Sequence, residues 1–271
     1  MTDGSGARNG APDGPERYDT YSTPIMAPFV GELLDAADLR PGATVLDLAC
    51  GTGFAARAAA ALVGPTGRVH GADKDAGMIR VARDRHPRLY PDIEFTVAPA
   101  DHLPYGTATF DAVVCQQGAQ FFPGLDAGLA EAARVTRPEG RFAATVWAPV
   151  DRQPYFLAQQ RAVHEYGGPD ALRYFARAFA VTAEQLTTGL RAAGYTGTTH
   201  REITFDIALP ALDAYAHGHL SALWGGLLRQ AGGEEALSRA AALVREQLAE
   251  HLADDGTATL PFTALLVTAT R

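Results

Sequence analysis

Residues 44 to 56, TVLDLACGTGFAA, leave the chain few folds to choose from, because an apolar run with an acidic residue near its end meets a glycine turn that opens a strong helix former. Val45, Leu46 and Leu48 read as a buried strand, and Ala55, Ala56, Ala58 and Ala59 begin a helix. Gly51 and Gly53 can adopt backbone angles closed to other residues and let a ligand approach the main chain. The first turn of such a helix leaves N–H groups unpaired, and in dinucleotide enzymes these hold a pyrophosphate. Asp47, four residues before Gly51, is a poor neighbour for a pyrophosphate but a good acceptor for a cationic amino group or a hydroxyl. Asp73 ends the second apolar run, 69 to 72, about 20 residues past Gly53, where a carboxylate takes two ribose hydroxyls. The ligand implied is a nucleoside with a positively charged tail.

Along the rest of the chain, strands are expected at 44–49, 67–72, 93–97, 110–115, 141–147, 199–206 and 260–269, with helices between most of them. Alternation of this kind builds an α/β fold with a doubly wound, mostly parallel sheet. A helix over 23 to 39 precedes the sheet, with Met26, Phe29, Val30, Leu33 and Leu34 on its apolar face. Residues 151 to 179 are rich in aromatics and read as one or two short helices before another at 182 to 193. Residues 1 to 16, rich in Gly, Ala, Pro and Asp, are expected to be a disordered tail.

With these motifs in hand, the chain resembles the class I S-adenosylmethionine-dependent methyltransferases, within them the small-molecule group whose first motif reads much like LDLACGTG (methyltransferase type 11-like). A second block, APADHLPYGTATFDAVVCQQGAQFFPG at 98 to 124, resembles the family's next motif, and the likeness spans roughly 20 to 148 with a weaker match at the C-terminal end. The resemblance implies a Rossmann-like seven-stranded sheet with an antiparallel last strand, and S-adenosyl-L-methionine as cofactor. It implies Asp73 on the ribose, Met78 against the adenine, Asp101 on the adenine amino group with His102 beside it, and the stretch from Gln116 to Gln120 at the methionine end and the mouth of the substrate pocket. Ala49 stands where the commoner pattern of the family has a glycine. Tyr21, Asp47, Ala49, Gly51, Gly53, Lys74, Ala100, Gln116 and Gln117 complete the expected cofactor set, with Tyr18 and Tyr21 covering the ligand from the N-terminal side.

Where the family joins its last two strands by a tight turn, residues 210 to 254 carry two amphipathic helices punctuated by Gly225, Gly226, Gly232 and Gly233. The organisation expected is therefore a tail (1–16), a cofactor-binding domain (17–209 and 255–271), and a helical lid inserted near the C-terminus (210–254) that contributes to the substrate pocket. Tyr215 and Trp224 from the lid, with Gln120, Phe121 and Phe122 opposite, are the candidate substrate contacts. His164, His217 and His219 are the candidate general bases for an oxygen acceptor. Aliphatic stripes at helical spacing are more often packing than substrate contact, and each histidine has a structural alternative.

Other classes are disfavoured. A net charge of -8 without a basic, aromatic-interleaved stripe argues against nucleic acid. No apolar run reaches the roughly 20 residues of a membrane helix. Cys50 and Cys115, the only cysteines, read as buried packing residues, and no His, Cys, Asp and Glu spacing suits a metal. A cytoplasmic protein acting on a small molecule is expected, its oligomeric state open with a homodimer considered. Three activities stand side by side: in-line methyl transfer to a small, secondary-metabolite acceptor; a non-methylating cyclisation or elimination in the same fold; and a nicotinamide oxidoreductase, with which G-x-G-x-x-A at Gly51, Gly53 and Ala56 is compatible.

Overall fold

A computed structural model describes residues 14 to 84 and 91 to 271. Two helices come first, α1 (Gly14–Tyr21) and α2 (Thr23–Ala36), joined at Ser22. Pro24 falls in the first turn of α2, where a missing N–H costs no hydrogen bond, and Ile25, Phe29, Val30, Leu33 and Leu34 bury one face. The expected tail therefore ends early: residues 14 to 16 are helical, and 1 to 13 lie outside the described residues.

Strands and helices then alternate as β1 (Thr44–Leu48), α3 (Phe54–Val63), β2 (Arg68–Asp73), α4 (Ala76–Asp84), β3 (Ile93–Val97), β4 (Phe110–Gln116), α5 (Leu125–Val135) and β5 (Thr136–Trp147). α6 (Pro154–Tyr166), α7 (Gly168–Arg177) and α8 (Ala183–Ala192) lead to β6 (Thr196–Leu209), then α9 (Leu212–Leu223), α10 (Gly225–Gln247) and β7 (Ala258–Thr270). The seven strands lie in the order β3-β2-β1-β4-β5-β7-β6, with β7 antiparallel to both its neighbours. β1 is buried along nearly its whole length, which is why it reads as a continuous apolar run. Its side chains alternate between two cores: Val45 packs with α2 and α3, and Leu46 and Leu48 pack with α5 and α8 on the opposite face.

From β1 the chain winds outward through β2 and β3, then returns across β1 to β4. This reversal leaves a crevice beyond the C-terminal ends of β1 and β4, the place where open α/β sheets bind ligands. β6 and β7 pair without a tight turn, and the segment between them forms α9 and α10. α10 is broken at Gly232 and Gly233, the latter in the left-handed region at φ 69°. Beyond the break Leu237, Ala240 and Val244 are fully buried, and α10 packs against α6 while α9 packs against α1.

Candidate functional site

The crevice is a cavity of about 260 Å³ at the ends of β1, β2 and β4, closed from above by α1 and by the α9–α10 junction. Its floor is the turn from Ala49 to Gly53. Gly51 and Gly53 hold φ values of 53° and 79°, and Ala49 shares the left-handed region at 57°. An alanine there is strained by about 1–2 kcal/mol. Its methyl also fills the place a side chain at 118 would need, since a Cβ on Gly118 would lie 2.6 Å from the Ala49 Cβ.

Two carboxylates organise the turn. Asp47 is 1% exposed; its Oδ2 accepts from the Ala56 N–H at 2.8 Å, and its buried Oδ1 has no partner. Burial pushes its carboxyl up to about 7, outweighing the Ala56 N–H, and the nearby Asp73 adds to the rise. Asp73, at the end of β2, accepts from the Gly51 N–H at 2.9 Å through Oδ2 and from the Asp75 N–H at 2.9 Å through Oδ1. Burial raises its carboxyl too, against those two donors. The Gly51 N–H and one N–H of the first turn of α3 are thus already bonded to internal carboxylates. What would hold a pyrophosphate is occupied and surrounded by negative charge, which turns the site away from a dinucleotide and towards a cationic ligand.

The walls come from distant segments. Tyr18 on α1 lines the cavity, with its hydroxyl donating to the Met26 sulfur at 3.5 Å, and burial, then the charges of Asp73 and Asp19, push its phenol up. Thr52 donates to Asp19 Oδ1 at 2.7 Å and so ties α1 to the glycine turn. On the far rim Lys74 donates to the Phe121 carbonyl at 2.9 Å, and Arg177 reaches the carbonyls of Gln120, Phe121 and Phe122 at 3.3–3.4 Å. These two cations fix the loop after β4.

Gln116 and Gln117 follow from the end of β4. Gln116 donates from Nε2 to the Met26 carbonyl at 2.7 Å. Gln117 sits in the left-handed region at φ 51°, 6% exposed, with neither end of its amide partnered. Strain and an orphaned amide together mark a residue held for a ligand. Gln117 also borders a second, smaller cavity of about 70 Å³, which shares Tyr18, Met26, Phe121, Leu223 and Trp224 with the first. Ser22, Gln120, Trp147, Phe156, Phe179 and His219 complete much of that branch, and no Asp, Glu, Lys or Arg lines it.

Of the residues singled out in the sequence, Asp47, Ala49, Gly51, Asp73, Lys74, Met78, Ala100, Gln116 and Gln117 line the large cavity, as do Phe121, Phe122 and Trp224, while Gln120 and His219 line the branch. Others lie elsewhere. Of the two tyrosines expected over the ligand, Tyr18 lines the cavity and Tyr21 does not: its ring fills the space over Gly218, where a Cβ would approach it to 2.1 Å. Tyr215 lines neither cavity and instead donates to the Tyr21 carbonyl at 2.5 Å. Gly53 serves the backbone, capping α3 beneath Phe95. Asp101 is half-buried and His102 exposed, both outside the cavity, whose wall there is Ala98 and Ala100. His164 is exposed at the end of α6. His217, two residues from His219 and so on another side of α9, faces Glu234, with Nε2 3.4 Å from Oε1. His219 itself is 2% exposed and held far below the usual histidine range, at about 3, by burial, so it is neutral and a poor proton acceptor.

Thr23, Cys50, Arg177, Trp147, Phe156 and Phe179 were not among the expected site residues. The aromatic density of 151 to 179 was the one sequence signal for two of them.

A general methyltransferase-domain family matches residues 45 to 140. Among curated proteins, the chain is similar to a ubiquinone/menaquinone biosynthesis C-methyltransferase of Ralstonia pickettii, 33% identical over 159 residues, covering 56% of this chain and 65% of that one. It is likewise 33% identical to a demethylmenaquinone methyltransferase of Beutenbergia cavernae over 184 residues, 63% of this chain and 73% of the relative. The chain thus spans just under two thirds of the first relative's length and more of the second. Among solved structures, the YcgJ protein of Bacillus subtilis superposes with a TM-score of 0.58 at 18% identity, covering 90% of this chain and 98% of that one. The [4+2]-cyclase SpnF does so with 0.54 at 20%, covering 96% of each. These two likenesses speak for the fold alone.

Proposed function

The chain belongs to the class I S-adenosylmethionine-dependent methyltransferases, and from that premise we propose that it methylates a small, largely apolar molecule held in the aromatic branch. When bound, S-adenosyl-L-methionine supplies a methyl carbon on a positively charged sulfur that leaves as a neutral thioether once an acceptor lone pair attacks from the opposite side.

The observation that carries the reading is the pair of carboxylates on one glycine turn. Asp47 keeps a buried oxygen without a partner, and Asp73 stands at the end of the next strand. An unpartnered buried carboxylate oxygen is costly, and a cationic ligand relieves it while drawing the raised carboxyl back to its ionised form. Asp73 has lone pairs left for ribose hydroxyls after its two N–H donors. Gln117 offers an amide donor and an acceptor where the two cavities meet. Tyr18 and Trp224 border both cavities, so they keep water from the junction and hold the two reactants in line, which supplies much of the acceleration of such a transfer.

Quinone precursors are what the curated relatives act on by name, and a flat, apolar acceptor is consistent with the walls of this branch. Within that class, a secondary metabolite is the acceptor we favour, on the strength of an alanine- and arginine-rich, lysine-poor composition of the kind found in high-GC bacteria. A cytoplasmic location, the helices 210–254 as a lid, and a homodimer as the assembly, if one forms, belong to the same reading. No helix among the described residues is long and apolar enough to cross a membrane.

Calorimetry with S-adenosylmethionine and S-adenosylhomocysteine, followed by a product screen with methyl-labelled cofactor, tests the proposal. Binding of both and a labelled small-molecule product are expected. Absence of binding would reject the cofactor site, and product formation with the label still on the cofactor would move the protein to the cyclisation alternative.

A further inference from the structure

His219 lies on α9 with its ring against those of Tyr155 and Tyr215, at centroid distances of 5.6 and 5.8 Å, the two tyrosine rings being 6.1 Å apart. Its Nδ1 is 3.0 Å from the Gln159 amide nitrogen and 3.2 Å from the Tyr155 hydroxyl, both on α6. In this orientation of the Gln159 amide, whose Oε1 is left buried without a partner, the amide nitrogen donates, so Nδ1 is an acceptor and the ring proton sits on Nε2. Among the described residues no protein group is seen to accept from Nε2. The same branch holds buried polar atoms without partners: Ser22 Oγ, both ends of the Gln117 amide, Gln120 Oε1 and Trp224 Nε1. Each belongs to a side chain less than a tenth exposed. Around them stand aromatic faces, and no charged side chain lines the branch to neutralise a charged guest.

Resting on the methyltransferase reading, we infer that His219 is a specificity-determining donor: its Nε2–H receives an oxygen of an uncharged, planar ring compound seated among Trp147, Phe156, Phe179 and Trp224. The ring is selected by the aromatic walls, and its oxygen by an N–H for which the described residues offer no acceptor. Leaving such a donor unpaired is what makes a site reject an analogue lacking the oxygen. A carboxylate or ammonium on the ring is refused because the branch offers it no counter-charge. His219 is neutral and its available nitrogen already carries a proton, so it orients the acceptor and does not deprotonate it. Tyr155 and Gln159 act as positioning residues that fix the tautomer.

The chain has two tryptophans, Trp147 and Trp224, and both line the branch, so their indole N–H resonances report its occupancy. Protein saturated with S-adenosylhomocysteine is titrated with acetophenone, with ethylbenzene, which lacks the oxygen, and with benzoate. Acetophenone is expected to bind about five- to tenfold tighter than ethylbenzene, the worth of one hydrogen bond, and benzoate more weakly than either. His219→Phe, which keeps a ring against the tyrosines, should bring acetophenone down to the affinity of ethylbenzene. His219→Gln, which keeps an N–H near the Nε2 position, should retain most of the preference. Equal affinities for acetophenone and ethylbenzene, benzoate binding as tightly as acetophenone, or a preference that survives His219→Phe would overturn the inference. Imidazole 15N spectra of the unsubstituted protein decide the matter even where a variant does not fold: an Nε2–H tautomer is expected, and an Nδ1–H tautomer overturns it. Failure to bind S-adenosylhomocysteine at the outset would count instead against the methyltransferase reading.

Discussion

Asp73 serves the turn and the ligand with one carboxylate, and the two roles can be separated by substitution. Asp73→Ala removes the ribose acceptor and frees the Gly51 N–H, so S-adenosylmethionine affinity should fall by about 1–2 kcal/mol, read by calorimetry. Asp73→Asn keeps one acceptor oxygen and should fall by less; equal affinity in all three proteins would dismiss the assignment. Ala49 makes a second residue-scale case. Its left-handed backbone costs more than the extra chain entropy of a glycine, so Ala49→Gly should raise stability by about 0.5 kcal/mol in chemical denaturation. A loss of stability would show that the methyl's packing against Gly118 outweighs the strain. The carboxylates were legible in the sequence because each has a fixed distance to a strand end and a glycine turn. The place of Asp101 was not legible because register alone does not say which way a loop residue faces, and Ala98 and Ala100 line the cavity there.

α1 covers the cavity only because α9 gives it somewhere to sit. Tyr21 lies over Gly218 so closely that a Cβ there would overlap the ring, and the Tyr215 hydroxyl fastens the Tyr21 carbonyl from the same helix. That seat aims Tyr18, three residues earlier, into the site. Nothing local to residues 14 to 21 encodes it, since the partner is a glycine far along the chain, so the choice between Tyr18 and Tyr21 could not be read from helical spacing. The branch has the same character: Ser22, Trp147, Phe156, Phe179 and His219 come from separate segments and meet only in the folded chain. Strands and helices, by contrast, announce themselves through periodicity over a few residues, and the broken α10 was legible through Gly232 and Gly233. Gly218→Ala should displace the Tyr21 ring, at a cost of about 1–3 kcal/mol from overpacking. Limited proteolysis should then cut near α1 at a lower protease concentration than in the unsubstituted protein. An unchanged cleavage pattern together with an unchanged melting temperature would mean that α1 is held by other contacts, among them Thr52 to Asp19.

Across the whole molecule, two buried groups pull the pH dependence of stability in opposite directions. Asp47 has a folded pKa of about 7 against an ordinary 3.8, so the folded state holds its proton longer than the unfolded chain does. Its contribution is fully present below the ordinary value and is lost as pH rises towards 7. His219 is the reverse, at about 3 against 6.5: the unfolded chain takes up the proton first, so its contribution is present above 6.5 and is lost as pH falls. Between about pH 4 and 6.5 one slope is downward with pH and the other upward, each worth on the order of a few kcal/mol across its range. Their sum is nearly flat, although each group alone would give a steep profile. Denaturant midpoints measured across that window should therefore tilt further upward with pH in Asp47→Asn than in the unsubstituted protein, because the histidine slope is no longer opposed by that carboxyl. They should tilt further downward in His219→Gln, where the Asp47 slope is no longer opposed by His219. Parallel profiles in the two variants would mean that neither group carries its shift into the folded protein. A ligand with positive charge adds a further sign: by favouring ionised Asp47 it should take a proton off the protein when it binds at pH 6 to 7, so the calorimetric enthalpy should vary with the ionisation enthalpy of the buffer. In Asp47→Asn that dependence should shrink, which ties the charge of the ligand to the buried Asp47 oxygen that the fold leaves without a partner.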